Sequence, residues 1–236
     1  MGDLANLCVR DLGPADEASA LEVLERSVVE VPLYRWLLGD ECTAEQARRW
    51  SQVLLAVHLH DGARAVFAEE PGRLTPRMCG LVLWSSTDHA RGGDAGRLHR
   101  LITDMGQADA GFLRRYQEMA AADAAAWTPP ASVDVVFAAV APNMRRTGVL
   151  ADLVDHVVAL ADRNGVAVIA RASDPALAAT YERRWSTTPR AEFVVTDGPR
   201  VQILQRDPVR DHDGHRGPAH AEPNRVSARS AGDRSS

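Results

Sequence analysis

Short apolar runs alternate along this chain with stretches in which apolar residues return every third or fourth position, the signatures of strands and amphipathic helices. The pattern is clearest at 133–160, VDVVFAAVAPNMRRTGVLADLVDHVVAL. An apolar run at 135–140 meets Pro142 and passes through Arg145-Arg146-Thr147-Gly148. It then becomes helical, with Val149, Leu153, Val154, Val157 and Ala161 on one face. This predicts strand, loop and helix. Such a junction points the unpaired amides of the first helical turn, the positive end of its dipole and two guanidinium groups at one place, where a phosphate or pyrophosphate fits. Every α/β protein contains such junctions, so the spacing alone names no ligand.

The rest of the chain is read the same way. A strand at 7–12 precedes a helix opened by Pro14, with Leu21, Leu24 and Val28 on one face. Pro32 breaks that helix within 29–38, a corner plugged by Trp36 and Leu37 beside a single Glu30. Thr43-Ala44-Glu45-Gln46 is a capping box, and Trp50, Val53, Leu54 and Val57 follow at helical spacing. Strands at 65–69 and 78–86 flank a turn-rich 71–76, Gly80 marking a bulge or a close backbone approach. The polar 88–93 precedes helical patterns carrying Leu98, Leu101, Ile102 and Met105, then Phe112, Tyr116 and Met119, expected to cover one sheet face. A buried parallel strand is expected at 166–171, reached by a helical crossover. Ser173-Asp174-Pro175 then starts a helix with Leu177, Tyr181 and Trp185 on one face, and strands at 191–195 and 201–205 flank the hairpin signal Asp197-Gly198.

Composition narrows the chemistry. The 236 residues, 45% hydrophobic and 25% charged, suit one domain with a full core plus a tail. Residues 1–206 form the domain; 207–236, nearly without large apolar side chains, are expected to be disordered. All 27 basic side chains are Arg, which excludes a Walker-type phosphate loop and a Schiff-base lysine. A net charge of −5 with no basic stripe argues against nucleic acid. The three cysteines, Cys8, Cys42 and Cys79, share no metal-like spacing, and reduced thiols are expected. His58 and His60 sit at a helix end where the dipole favours them, His89 reads as a solvated loop residue, and His212, His215 and His220 fall in the tail; no metal site is predicted. No stretch has the length of a membrane span or the form of a signal peptide, so a cytoplasmic protein without a membrane partner is expected. Monomer and homodimer both remain open.

Against that background, the stretch from Val140 through Arg145-Arg146-Thr147-Gly148-Val149-Leu150 to Leu153 resembles the acetyl-coenzyme A signature of the GCN5-related N-acetyltransferases, Gln/Arg-x-x-Gly-x-Gly/Ala. Arg145 and Gly148 match its first and fourth positions; Arg146 stands where Gly is frequent and Leu150 where Gly or Ala is commonest, as in branches similar to aminoglycoside acetyltransferases. Gly80 and the apolar run ending in Trp84-Ser85-Ser86-Thr87 look like the third strand of puromycin-acetyltransferase-like members. The run 174–181 resembles the family's second motif, with Asp174 at its Asn and Tyr181 at its Tyr, while the closing Gly-Phe is not recognisable at 184–187.

The resemblance implies an α/β (α+β) GNAT-like acyl-CoA N-acyltransferase fold: a mixed, mostly antiparallel sheet whose central parallel strands splay apart, with helices on both faces. It implies acetyl-CoA as co-substrate, held by Ala139, Val140, Ala141, Arg145, Arg146, Thr147, Gly148, Val149, Leu150 and Asp174, with the amides near Ala139 and Val140 polarising the thioester. It also implies Tyr181 as general acid, whose alternative is an ordinary core tyrosine. The base is left between Asp134, equally a strand end, and Glu30. The acceptor is expected to be a small-molecule amine, with an amino group on a protein or amino acid as the other choice. A different acyl donor or an idle binding protein is the competing reading, motivated by the bulk of Leu150 near the pyrophosphate.

Overall fold

Strand pairing organises the molecule into a seven-stranded sheet, order β1-β2-β3-β4-β5-β7-β6. The computed structural model describes residues 7–39, 41–59, 62–68, 76–87 and 95–209. The turn at 71–75, the polar segment 88–93 with His89, and His60, His212, His215 and His220 lie outside them, as do residues 210–236 of the expected tail.

The first four strands, β1 (Leu7–Asp11), β2 (Ala63–Ala68), β3 (Arg77–Ser86) and β4 (Ser132–Val140), pair antiparallel in sequence order. β5 (Ala167–Ala172) lies parallel to β4, and β7 (Arg200–Arg206) inserts between β5 and β6 (Thr188–Val194). The last hairpin begins earlier than its apolar pattern suggests, because β6 runs through Pro189 with a register shift before Ala191. Pro is tolerated on such an edge strand.

One face carries α1 (Glu17–Val28), α2 (Pro32–Leu38), α3 (Ala44–His58), α4 (Ala95–Ala108) and α5 (Ala110–Ala126). The other carries α6 (Val149–Asn164) and α7 (Pro175–Trp185). Leu24, Val28, Leu55, Leu81 and Leu83 anchor the first core, and Val82, Val133, Leu153, Val157 and Val168 the second. The helical patterns at 98–119 do not simply cover the sheet. α4 packs chiefly on α3 and α5, while α5 reaches β6, so the first face is two helices deep.

Local chemistry explains the boundaries. Thr43 caps α3 reciprocally: Gln46 N donates to Thr43 Oγ1 at 3.2 Å and Thr43 N to Gln46 Oε1 at 2.8 Å. Pro32 occupies the first turn of α2, which separates it from α1. α7 runs through Trp185 and leaves through Ser186 in the left-handed conformation at φ 54°, so a serine supplies the exit for which glycine is the usual choice.

Candidate functional site

β4 and β5 pair only from Ser132↔Ala167 to Val135↔Ala170, yet β4 continues to Val140 and β5 to Ala172. Beyond that last pair the two strands diverge and leave a fork. On its other edge β4 stays paired with β3, but the register shifts: Leu83 faces Phe137 and Trp84 faces Val135, which leaves Val136 as an extra residue. This bulge reverses the alternation of faces. Val133 and Val135 point to the α6 core, whereas Val136, Phe137 and Ala139 pack on the α1–α3 side.

The ladder also decides which amides face the fork. Ala141 N donates to Cys79 O at 2.8 Å. In an antiparallel pair such bonded positions alternate, so the amide of Ala139, opposite Leu81, also points towards β3. The amides of Val140 and Ala138 are turned the other way, into the opening. Of the two amides expected to polarise a thioester, that of Val140 faces the opening and that of Ala139 does not, while the amide of Ala138 faces it as well. β3 can lie this close because position 80 is Gly: a Cβ there would stand 2.8 Å from Ala139 O and 3.0 Å from Val149 Cγ1.

At the mouth of the fork, Pro142–Met144 forms a 3-10 turn and Thr147 Oγ1 donates to Met144 O at 2.6 Å. Arg146 at φ 66° and Gly148 at φ 98° then swing the chain into α6. Gly148 is the N-cap, no side chain caps this end among the described residues, and the first helical bond runs from Asp152 N to Gly148 O at 3.0 Å. The amides of Val149, Leu150 and Ala151 are thereby left without helical partners. Nothing lies within 4 Å of a Cβ built on Gly148, and Arg145, Arg146 and Thr147 are exposed beside it. Open amides, a positive helix end and two guanidinium groups fit a pyrophosphate. Leu150 is partly buried and packs on the α6 core, which removes much of the reason to expect it to crowd a phosphate.

The α1–α2 corner crosses the same mouth. Arg145 Nη2 donates to Glu30 Oε2 at 2.5 Å on the β4 side, and Leu33 N donates to Ser173 Oγ at 3.1 Å on the β5 side. Leu37 is the buried plug expected at this corner, but Trp36 reaches further and donates from Nε1 to Thr196 O at 2.9 Å, tying α2 to the β6–β7 turn.

Asp134, one of the two base candidates, lies just below the fork on the α5 side. It accepts from Ser132 Oγ at 2.8 Å and from Arg171 Nη1 at 3.2 Å. Arg171 Nε donates in turn to Asp123 Oδ1 on α5 at 2.6 Å. Burial works against the Arg171 charge, yet the two carboxylates hold its pKa above the ordinary value. The other candidate, Glu30, is spent on Arg145, so the structure keeps the two carboxylates apart rather than joining them in one acid–base pair. Tyr34 lies beside this cluster, its ring stacked on Phe137 at 5.7 Å between centroids. Burial pushes its phenol up to about 12, against the lowering pull of Arg171. Its hydroxyl has no hydrogen-bond partner among the described residues. Tyr34, Asp123 and Arg171 were not singled out from the sequence; the signals were an Arg ending an apolar strand and a lone Asp in an alanine-rich helix.

Tyr181 sits on the opposite face, 4% exposed, with its ring 4.8 Å from that of Trp185. Trp185 Nε1 donates to Asp155 Oδ1 at 2.6 Å, which locks α7 against α6. Burial raises the Tyr181 pKa far above its ordinary value, so the phenol stays protonated at neutral pH. Asp174 caps α7, accepting from Ala176 N at 2.8 Å through Oδ1. That is a structural duty at the place where a cofactor contact was expected.

A cavity of about 740 Å³ between the α2–α3 and α4–α5 junctions has no fork residue in its lining, and one of about 400 Å³ lies between α2 and the 197–199 turn. Trp36 lines the second, and neither is lined by Arg145, Gly148, Asp134, Arg171 or Tyr181. Among the described residues no helix is long and apolar enough to cross a membrane, and no three His, Cys, Asp or Glu side chains are grouped to hold a metal ion.

No family model and no curated protein matches the chain. Solved structures do match its fold. A Corynebacterium glutamicum protein of the histone acetyltransferase HPA2 and related acetyltransferase kind is 18% identical, with a TM-score of 0.60 over 87% of this chain and 98% of that one. Arylalkylamine N-acetyltransferase 2 from Aedes aegypti is 12% identical, with a TM-score of 0.59 over 86% and 99%. An agmatine N-acetyltransferase in its apo form is 16% identical, with a TM-score of 0.54 over 85% and 99%. The mixed, mostly antiparallel sheet flanked by helices is thus the GNAT-like architecture.

Proposed function

We propose that the chain is an acetyl-CoA-dependent N-acetyltransferase that acetylates a primary amine of a small molecule, antibiotic-like amines among them, by direct attack. The observation that carries this reading is the fork itself: parallel pairing stops after Val135 and Ala170, leaving a strand edge open beside an uncapped helix terminus at Gly148. The solved structures with TM-scores above 0.5 support it at the level of fold.

In this reading Arg145, Arg146 and the amides after Gly148 bind the pyrophosphate, with Thr147 shaping the turn and Ala141 starting it. The edge of β4 hydrogen-bonds the pantetheine through Val140 and Ala138. Acetyl-CoA supplies an activated thioester. The neutral amine forms its C–N bond as the C–S bond breaks; nitrogen gives up one proton, and the sulfur leaves with the bond pair and takes a proton from Tyr181. Asp134 or Glu30, directly or through water, accepts the amine proton. Asp134 does so from an ion pair with Arg171, and Glu30 only after releasing Arg145.

A calorimetric titration with acetyl-CoA, followed by an assay of amine-dependent thiol release, tests this reading. Micromolar or tighter binding with transfer to amines is the expected result. Absence of binding would overturn it, and binding without transfer to any amine would favour the idle-binder alternative or a different acyl donor.

A further inference from the structure

The cavity of about 400 Å³ between α2 and the 197–199 turn adjoins the fork. Pro32, in its lining, precedes Leu33, whose amide is tied to Ser173 just beyond the end of β5. Arg35 and Trp36 line it within one helical turn of that tie, a rise of about 5 Å. The walls are fixed to each other. Trp36 Nε1 donates to Thr196 O at 2.9 Å, and the turn closes on the indole because position 198 is Gly: a Cβ there would stand 2.6 Å from Trp36 Cδ1. Two opposite charges face this one space, Arg35 from α2 and Asp197 from the turn, and among the described residues they are its only charged lining groups. Neither side chain forms an ion pair or hydrogen bond with the other or with any other described residue. Arg145 and Arg200, by contrast, are taken up by Glu30 and Glu192. Burial raises the pKa of Cys42, and Arg35 pulls it the other way, which puts the guanidinium near the thiol in the same wall.

We propose that this cavity seats the far end of the acceptor, an α-amino acid with a second amine on its side chain: the α-carboxylate meets Arg35, the α-ammonium meets Asp197, and the side-chain amine reaches the fork. The inference rests on the reading of the fork as the acyl-transfer site and narrows its acceptor. An unmatched cation and an unmatched anion beside one indole form a receptor for the complementary dipole. The Arg35 guanidinium presents parallel donors suited to a carboxylate, and Asp197 accepts from an ammonium. The same contacts choose between the two nitrogens. A carboxylate beside the α-ammonium favours its charged form, which cannot attack a thioester. The side-chain nitrogen has no such partner in the cavity and is the one that loses its proton and reacts. A diamine without a carboxylate leaves Arg35 unmet, and an amino acid without the α-amine leaves Asp197 unmet.

The test compares ornithine with putrescine, which lacks the carboxylate, and with 5-aminopentanoate, which lacks the α-amine. Each is titrated into the full chain by calorimetry, with and without saturating coenzyme A. Ornithine is expected to bind about fivefold more tightly than either, the scale of one exposed charge pair. Arg35→Gln should abolish its advantage over putrescine, and Asp197→Asn its advantage over 5-aminopentanoate. Both side chains are exposed, and Asn tolerates the left-handed backbone at 197, φ 53°, so both variants are expected to fold. Ornithine should also slow the alkylation of Cys42 by iodoacetamide while leaving that of Cys8, exposed on β1, unchanged. With acetyl-CoA, the acetyl group should be found on the side-chain nitrogen. Equal affinities, an unchanged preference in either variant, unaltered alkylation of Cys42, or acetylation of the α-nitrogen would overturn the proposal. Failure of coenzyme A to bind would instead sink the acyl-transfer reading, while the titrations without it still decide what the cavity takes.

Discussion

Arg145 Nη2 and Glu30 Oε2 meet at 2.5 Å, joining the loop after β4 to the corner between α1 and α2. Both side chains are about half exposed, 45% and 49%. A pair so exposed is worth roughly 0–1 kcal/mol, so an anion arriving at the helix terminus would displace Glu30 at small cost.

Two substitutions separate the roles of this pair. Arg145→Glu should weaken coenzyme A binding by roughly 1.5–3 kcal/mol without unfolding the protein, read by calorimetry. Glu30→Gln should tighten coenzyme A binding slightly if Glu30 only restrains Arg145, with kcat retained. If Glu30 is the base, kcat falls by about 10²–10⁴. An unchanged affinity in Arg145→Glu would remove Arg145 from the pyrophosphate site.

At the next turn of the loop, Gly148→Val tests the backbone. The residue holds φ 98° with open space around its missing Cβ, so the strain is conformational and not steric crowding. A branched residue pays roughly 1–2 kcal/mol there or reshapes the helix entrance. Loss of coenzyme A affinity exceeding the loss of melting temperature in a thermal-shift series is the expected pattern.

Tyr181→Phe keeps the ring against Trp185 and removes only the hydroxyl. A purely packing role costs on the order of 1 kcal/mol of stability or less and leaves turnover intact. A general acid loses about 10²–10⁴-fold in kcat with coenzyme A affinity unchanged. Near-normal kcat with chemistry rate-limiting would leave the thiolate to water.

Acid stability should carry the mark of His156. Arg64 Nη1 lies 3.0 Å from its Nδ1, and burial, then Arg64, lower its pKa, with Asp11 pulling the other way and Arg163 adding to the lowering. Unfolding frees the ring to bind a proton near its ordinary pKa of about 6.5. The unfolded chain therefore holds more protons between the lowered folded value and about 6.5, and stability falls as pH drops through that window. His156→Gln should flatten the melting-temperature profile there; an identical slope in the variant would assign the acid sensitivity elsewhere.

Removing residues 210–236 should leave the melting temperature unchanged, since their composition offers little apolar surface to bury. Cutting after Arg206 should cost more, because Val209 N donates to Asp162 Oδ1 at 2.8 Å and Asp207 pairs with Arg190. A large drop from the first truncation would show that the tail docks.

What could be read from residues alone follows from how local each signal is. The capping box at Thr43, the break at Pro32 and the loop from Arg145 to Gly148 are contiguous, and each stands where its pattern places it. The fork is not local. It depends on where β4 stops pairing with a strand more than thirty positions away, and the bulge at Val136 leaves no trace in an unbroken apolar run. The amide directions follow from that bulge and from Gly80, which is why residue patterns alone do not tell the amide of Ala138 from that of Ala139. Asp134 looked like a lone acid at a strand end because its partners, Arg171 and Asp123, come from other elements.

The sheet is in effect two antiparallel plates, β1 to β4 and β5 to β7, stitched by four parallel residue pairs from Ser132↔Ala167 to Val135↔Ala170. So short a seam makes it the natural line of weakness in the hydrogen-bond ladder. Amides flanking it should exchange with deuterium sooner than those of the β2–β3 or β6–β7 ladders. A ligand arm lying along the free edge of β4 extends the stitching. Donor occupancy should then register as slowed exchange on both plates, including strands that never touch it.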